Sequence, residues 1–216
     1  MFDRRLGSLG EWKKVNAYLF NAQFDDGLAA EIQVNSEFGS SDEAWMQAQK
    51  YALAIGKLPT ALRTQLKTVS IHQGVKPFGG GNNNLVIHTG QADVYERDGI
   101  LEETLVHEAC HTASDTTLNS ATDWIAAQNA DGSYISKYAS ANREQEDVAE
   151  SFLCWLAVRH RSDRISKEQA DKIKETIPNR IKYFDRQELL DMHPIARQFK
   201  GTPIAGSWTY RIFNPT

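Results

Sequence analysis

The stretch Leu105-Val106-His107-Glu108-Ala109-Cys110-His111-Thr112 decides how this chain is read. Its apolar flank, Leu101, Leu105 and Val106, predicts a helix from about Ile100 to Ser114 with one face buried. On a helix, residues four apart lie on one face, so His107 and His111 can aim imidazole nitrogens at one metal ion. Glu108 lies one step round, close enough to reach water at that ion, which is where a general base is needed. The ion that this pattern suits is Zn2+. The bland reading is a pair of surface histidines on an exposed helix, and the apolar flank argues against it. A closed structural zinc site would need four protein ligands. Cys110 is adjacent in sequence, but helical geometry turns it off the His107/His111 face.

Outward from the motif, the N-terminal side reads as strands around one helix. Val15–Phe20 and Ala30–Val34 are β candidates, with Asp25-Asp26-Gly27 as the turn between them. Ser41 and Asp42 look like an N-cap region, and Trp45, Ala48, Tyr51, Ala52 and Ile55 follow at helical spacing. Gly56 and Pro59 close that helix. A short helix over 60–66 leads into a strand at Thr68–His72, and a second strand runs from Asn84 to Thr89. Between them, Phe78-Gly79-Gly80-Gly81-Asn82-Asn83-Asn84 reads as a loop, because its glycines and asparagines permit unusual backbone angles. On the C-terminal side a short helix is expected near Trp124 and a long one over 143–159. Another starts at Ser166 and ends at Pro178, and the tail from Asp191 reads as irregular. The class is α+β: an N-terminal twisted mixed sheet with the motif helix, then a mainly helical part. One domain over 1–216 is expected, with 1–114 as sheet plus motif helix and 115–216 as a mainly helical sub-lobe.

Composition narrows the function classes. The chain has 216 residues and a formal net charge of -4, with both signs interspersed. No basic stripe stands out, so nucleic acid is not the expected partner. No apolar run reaches the length of a membrane span. Met1–Leu6 contains no apolar core of a signal peptide. The expected location is therefore the cytoplasm, or outside the cell if a leader has been removed, which is slightly favoured. The two cysteines, Cys110 and Cys154, are too few for a disulfide scaffold. They are expected to lie near each other, one on each metal-bearing helix.

The next acidic cluster on a helical pattern is Asn142-Arg143-Glu144-Gln145-Glu146-Asp147-Val148-Ala149-Glu150-Ser151-Phe152. At about 100° per residue, Glu146 and Glu150 share a face, Asp147 lies to one side and Glu144 roughly opposite. A ligand and the carboxylate that orients another ligand should share a face, which selects Glu146 and Glu150. Ser114 and Thr117 stand where the metzincin pattern has a glycine and a histidine, so that class is excluded. The pairing H-E-A-C-H with E-D-V-A-E-S-F resembles the gluzincins: a thermolysin-type arrangement, and more closely the anthrax lethal factor group at the two metal helices. The segments 77–89 and 101–108 also resemble a poorly characterised group of predicted metallopeptidase-like domains, over about 2–161. These resemblances imply a zincin-like fold with His107, His111 and Glu146 on zinc. They also imply that Glu150 orients His107, since the earlier acid of the pair binds the metal and the later one holds the first histidine.

Members of the lethal factor group place an oxyanion-stabilising tyrosine upstream of the third ligand. Tyr138 is the candidate here, although the spacing differs by one and Tyr134 competes. His88 ends the strand before the motif. Such a strand commonly forms the cleft rim and pairs with extended substrate, but a solvent-facing position is the simpler expectation for His88 and for His72. His160 and His193 have no metal-ligand spacing. Trp12, Trp45, Trp124, Trp155 and Trp208 read as core or half-buried packing, and Lys167–Lys174 as a solvated helix face. The expected activity is hydrolysis of a peptide or protein substrate with Glu108 as the base. The alternative is a non-catalytic zinc-binding or adhesion module, and an intact Glu108 weighs against it.

Overall fold

The computed structural model describes residues 1–7, 11–114, 118–187 and 210–213. The architecture is mixed α+β, a mixed sheet followed by a helical part. A small antiparallel pair, β1 (Phe2–Asp3) and β2 (Lys13–Lys14), stands apart from the main sheet. The main sheet contains β3 (Ala17–Gln23), β4 (Ala29–Asn35), β5 (Thr68–His72), β6 (Gly79–Gly81), β7 (Asn84–His88) and β8 (Tyr210–Phe213). Its spatial order is β6-β7-β5-β4-β3-β8. β4, β5 and β7 run parallel, and the remaining pairings are antiparallel.

Strand alternation explains which face is covered. Register aligns Phe20, Ile32, Val69, Leu85 and Gly80 in one row across the sheet. A second row aligns Val34, Ile71 and Ile87. The apolar members of both rows are almost fully buried, as period-2 patterning requires of a face packed by helices. The helix α1 (Ser41–Gly56) buries Ala44, Ala48, Tyr51, Ala52 and Ile55. Ser40 caps it by accepting a hydrogen bond from the Glu43 N–H, and Asp42 and Glu43 favour its positive end. The short helix α2 (Thr60–Arg63) then leads into β5.

The Gly/Asn run is not a loop but an edge hairpin. Asn82 and Asn83 have φ of 50° and 60°, which makes a two-residue turn with both central residues left-handed, a conformation asparagine tolerates. At Gly80 the inward row has no side chain. A Cβ there would lie 1.9 Å from the carbonyl oxygen of Glu108. The bare strand thus rests directly on the backbone of α4 (Leu101–Ser114), the motif helix. Thr112 fastens the contact: its Oγ1 accepts from the Gly81 N–H at 3.2 Å and donates to the Asn84 carbonyl at 3.1 Å.

Between β7 and α4 lies α3 (Thr89–Arg97), which the sequence pattern did not predict. Ala92 is its one buried residue, so it carries almost no apolar periodicity. The helical part contains α5 (Thr122–Asp131), α6 (Lys137–Ala141), α7 (Asp147–His160), α8 (Lys167–Thr176) and α9 (Pro178–Arg186). The expected helix over 143–159 begins later, at Asp147, after turns. Pro178 does end α8, but it also opens α9 from the first turn, where its missing N–H costs nothing. Trp124, Phe152, Trp155 and Phe184 form the aromatic centre of this part. Trp12, expected in packing, is instead 53% exposed on the N-terminal hairpin. His193, Trp208 and the start of the tail at Asp191 lie outside the described residues.

The Gly80 contact yields a sharp contrast. Gly80→Ala is expected to lower stability by about 1–3 kcal/mol, the usual range for forced overpacking. Gly79→Ala, whose new Cβ would find its nearest neighbour at 3.8 Å, should stay near wild type. Urea unfolding midpoints of the two variants test this.

Candidate metal centre

Two elements bring the site together. α4 presents His107 and His111 on one face, one turn apart. α7 packs against α4, and Glu146 occupies its N-cap position with near-helical backbone angles, φ -102° and ψ -23°. The Glu150 N–H donates to the Glu146 carbonyl at 2.9 Å, so the two carboxylates keep the i, i+4 relation.

The ligand-type atoms converge. His107 Nε2 and His111 Nε2 are 3.2 Å apart. Glu146 Oε2 lies 3.3 Å from the first and 3.2 Å from the second. These are the atoms a metal ion would gather, and the group can hold one. The side chains are 15%, 9% and 14% exposed, sheltered but still open to solvent on one side. Glu150 Oε1 stands 3.6 Å from His107 Nδ1, the ring nitrogen that faces away from Glu146. That separation is longer than a hydrogen bond and within reach of an ion pair. Burial holds the His107 imidazole below its ordinary range, and His111 adds to this against the opposing pull of Glu150 and Glu146. A neutral imidazole is the form that binds metal.

The two candidate tyrosines part company. The Tyr138 hydroxyl, on α6, donates to Glu146 Oε1 at 3.0 Å. The residue is 55% exposed and marks the open side of the site. Desolvation and then the hydrogen bond to Glu146 push its phenol above the ordinary range, and Glu108 and Glu150 add to the rise. Tyr134 instead lies against the Arg180 guanidinium, 4.9 Å from its ring centroid. Glu108 is half-buried, and its charge also reaches Tyr95 on α3. Of the other acids in the cluster, Glu144 is exposed, and Asp147 is fully buried and paired with Arg180. Cys110 and Cys154 both remain thiols and pack in the same core. Burial and the nearby Glu150 push the Cys154 thiol up to about 12.

His72 and His88 do not face solvent. They are 1% and 7% exposed and stack on each other with centroids 5.4 Å apart. The parallel pairing of β5 with β7 sets them side by side at the strand ends. His72 also belongs to a second group of potential ligands with Asp3 and Glu37. A cation already sits in that group. Arg5 Nη2 is 2.6 Å from Asp3 Oδ2, 2.6 Å from Glu37 Oε1 and 3.3 Å from His72 Nδ1. This is an arginine-centred knot that ties the N-terminal segment to the sheet. Nothing in the local sequence signalled it, because its members come from three separate segments.

Comparison of the chain with models of known protein families, with curated proteins and with solved structures gives no match.

Two outcomes follow from the geometry. Glu146→Ala is expected to weaken divalent-metal binding strongly, and Glu150→Ala by about 10- to 100-fold, the usual effect of losing the partner that orients a ligating imidazole. Chelator-competition titrations measure both. The second concerns His72, which burial holds down to about 4 against an ordinary 6.5. Its neutral form is the folded one, so its contribution to stability is complete above the unfolded value. That contribution is lost as pH falls from 6.5 towards 4. Unfolding at about pH 7 and about pH 5 should show a smaller difference in His72→Gln than in wild type.

Proposed function

We propose that this chain is a zinc-dependent metallopeptidase of the gluzincin type with a zincin-like fold. The convergence of His107 Nε2, His111 Nε2 and Glu146 Oε2, all mutually within 3.3 Å, is the observation that carries this reading. Two imidazoles and one carboxylate are a donor set suited to zinc, and three protein ligands leave a position open for chemistry. The likeness of the two helices to the lethal factor group supports the same reading.

Zinc held there supplies a Lewis acid that polarises a carbonyl and acidifies water. The residues of the chain supply the rest. His107 and His111 would bind as neutral rings, and Glu150, 3.6 Å from His107 Nδ1, would need to move in slightly to accept that nitrogen's proton and fix the tautomer. The Glu108 carboxylate takes a proton from the attacking water and passes it to the departing amine. Tyr138, on the open side, would donate its hydroxyl to the carbonyl oxygen as negative charge develops there. That role requires it to leave Glu146 Oε1, and its exposure leaves room to turn. The edge strand β6, paired among the described residues with β7 alone, offers backbone groups to an extended substrate beside Glu108.

Glu108→Gln preserves shape but cannot accept the proton. It is expected to keep stoichiometric zinc while losing nearly all hydrolysis of a quenched peptide library, and a chelator should abolish wild-type turnover. Zinc loading with no turnover by the wild type on any peptide would replace this reading with a non-catalytic zinc-binding module.

A further inference from the structure

Glu146 has helix on one side only: its N–H donates to the Asn142 carbonyl at 2.8 Å in the turns before α7, and its carbonyl accepts from Glu150 inside α7. The residues just before it, Arg143, Glu144 and Gln145, are exposed and form turns rather than helix. Its backbone is anchored from the other side, where Asp147, Val148 and Ala149 are buried. Asp147 is gripped most tightly. Its Oδ2 accepts from Arg180 Nε at 2.8 Å and from Gln128 Nε2 at 2.8 Å, and its Oδ1 from the Ser151 hydroxyl at 3.4 Å.

The same arginine holds the segment before Tyr138. Arg180 Nη1 donates to Asp131 Oδ2 at 3.0 Å and to the Ser133 carbonyl at 2.9 Å. The guanidinium also lies over the ring of Tyr134, four residues ahead of Tyr138 in the segment that leads into α6. Asp131 in turn fixes where the arginine starts. Its carboxylate accepts the backbone N–H groups of Asn179 and Arg180 at 2.7 Å and 3.1 Å, capping α9.

This arrangement is a poor choice for stability alone. The side chains of Arg180, Asp131 and Asp147 are all 0% exposed, and Arg180 Nη2 is buried with no hydrogen-bond partner among the described residues. Desolvating three charges consumes most of what their attraction returns, and apolar residues of similar volume commonly pack as well. What the ionic trio adds is direction: a rigid, forked donor that fixes two chain segments relative to α9.

We propose that Arg180 is a positioning residue of the metal centre. Through Asp147 it fixes Glu146, and through Ser133 and Tyr134 it fixes the segment carrying Tyr138. This rests on the reading that His107, His111 and Glu146 bind a divalent metal.

The test uses the full chain and measures Co2+ and Zn2+ affinity by chelator competition, with the visible absorption of the Co2+ form as a report on ligand geometry. Arg180→Lys keeps the charge and loses the fork. Asp147→Asn keeps the shape and loses one charge, and it decides the matter if the lysine variant does not fold. Ile32→Ala, a core truncation in β4, serves as the control for lost stability. The expected result is metal binding weakened about 10- to 100-fold, with an altered Co2+ spectrum, in Arg180→Lys and Asp147→Asn. Ile32→Ala should bind metal as wild type does despite melting earlier. Wild-type affinity in both network variants overturns the proposal, as does an equal loss in Ile32→Ala, which would mean that affinity only follows stability. A wild type that binds no metal removes the metal-centre reading itself, and the two failures are thereby distinct.

Discussion

The backbone contact between Gly80 and Glu108 sets the geometry on which the candidate metal centre depends. Along the inward row, Phe20, Ile32, Val69 and Leu85 hold the helices off the sheet by the thickness of a side chain. At the edge that spacer disappears, and α4 comes down onto bare strand at the residue that follows the first histidine. The helix is therefore fixed in depth by a contact that no side chain can adjust. Thr112 fixes it in register, by joining α4 to both arms of the hairpin. With α4 so placed, His107 and His111 face α7, and the site closes when the N-cap of α7 brings Glu146 to them.

Much of this was legible because local patterns and global packing agree. The i, i+4 histidines, the alternation in β4, β5 and β7 and the apolar stripe of α1 each follow from one period. The common face of Glu146 and Glu150 was argued from helical geometry, and it survives although Glu146 sits at the helix cap. What sequence could not supply is what distant segments do to one another. Three glycines beside asparagines suggest a loop until a helix lies on them, and only then does the missing Cβ explain a strand. His72 and His88 look like strand ends facing water. The parallel register of β5 and β7 and the arrival of Arg5 turn them inward. Pro178 is a helix stop read from one side and a helix start read from the other.

Two buried ionic knots divide the molecule between them. One, around Arg5, joins the N-terminal segment to β5 and to Glu37 after β4. The other, around Arg180, joins the end of α5 to the beginnings of α7 and α9. Each uses an arginine whose several donors reach more than one segment at once, which a lysine's compact ammonium does less well. Each also has a carboxylate more deeply buried than surface pairs allow, so neither resembles the exposed ion pairs that contribute little to stability. Apolar contact can pack helices together and still leave small rotations free. A fork of hydrogen bonds in a low-dielectric interior restricts those rotations too.

That difference matters most where α7 begins. A ligand inside a helix inherits the stiffness of the turns on both sides, whereas a ligand at the N-cap has helix on one side only. Glu146, the candidate third ligand, is in that position, followed by helix and preceded by exposed turns. His107 and His111 sit within α4 and need no further restraint, which is why their spacing alone announces them. Glu146 has helix on one side only, and Asp147, the residue after it, is held by donors from two other helices, Arg180 and Gln128. The least conspicuous acid of the cluster in the sequence is thus a structural anchor, tied to a helix some thirty residues further on, and the candidate ligand is its immediate neighbour.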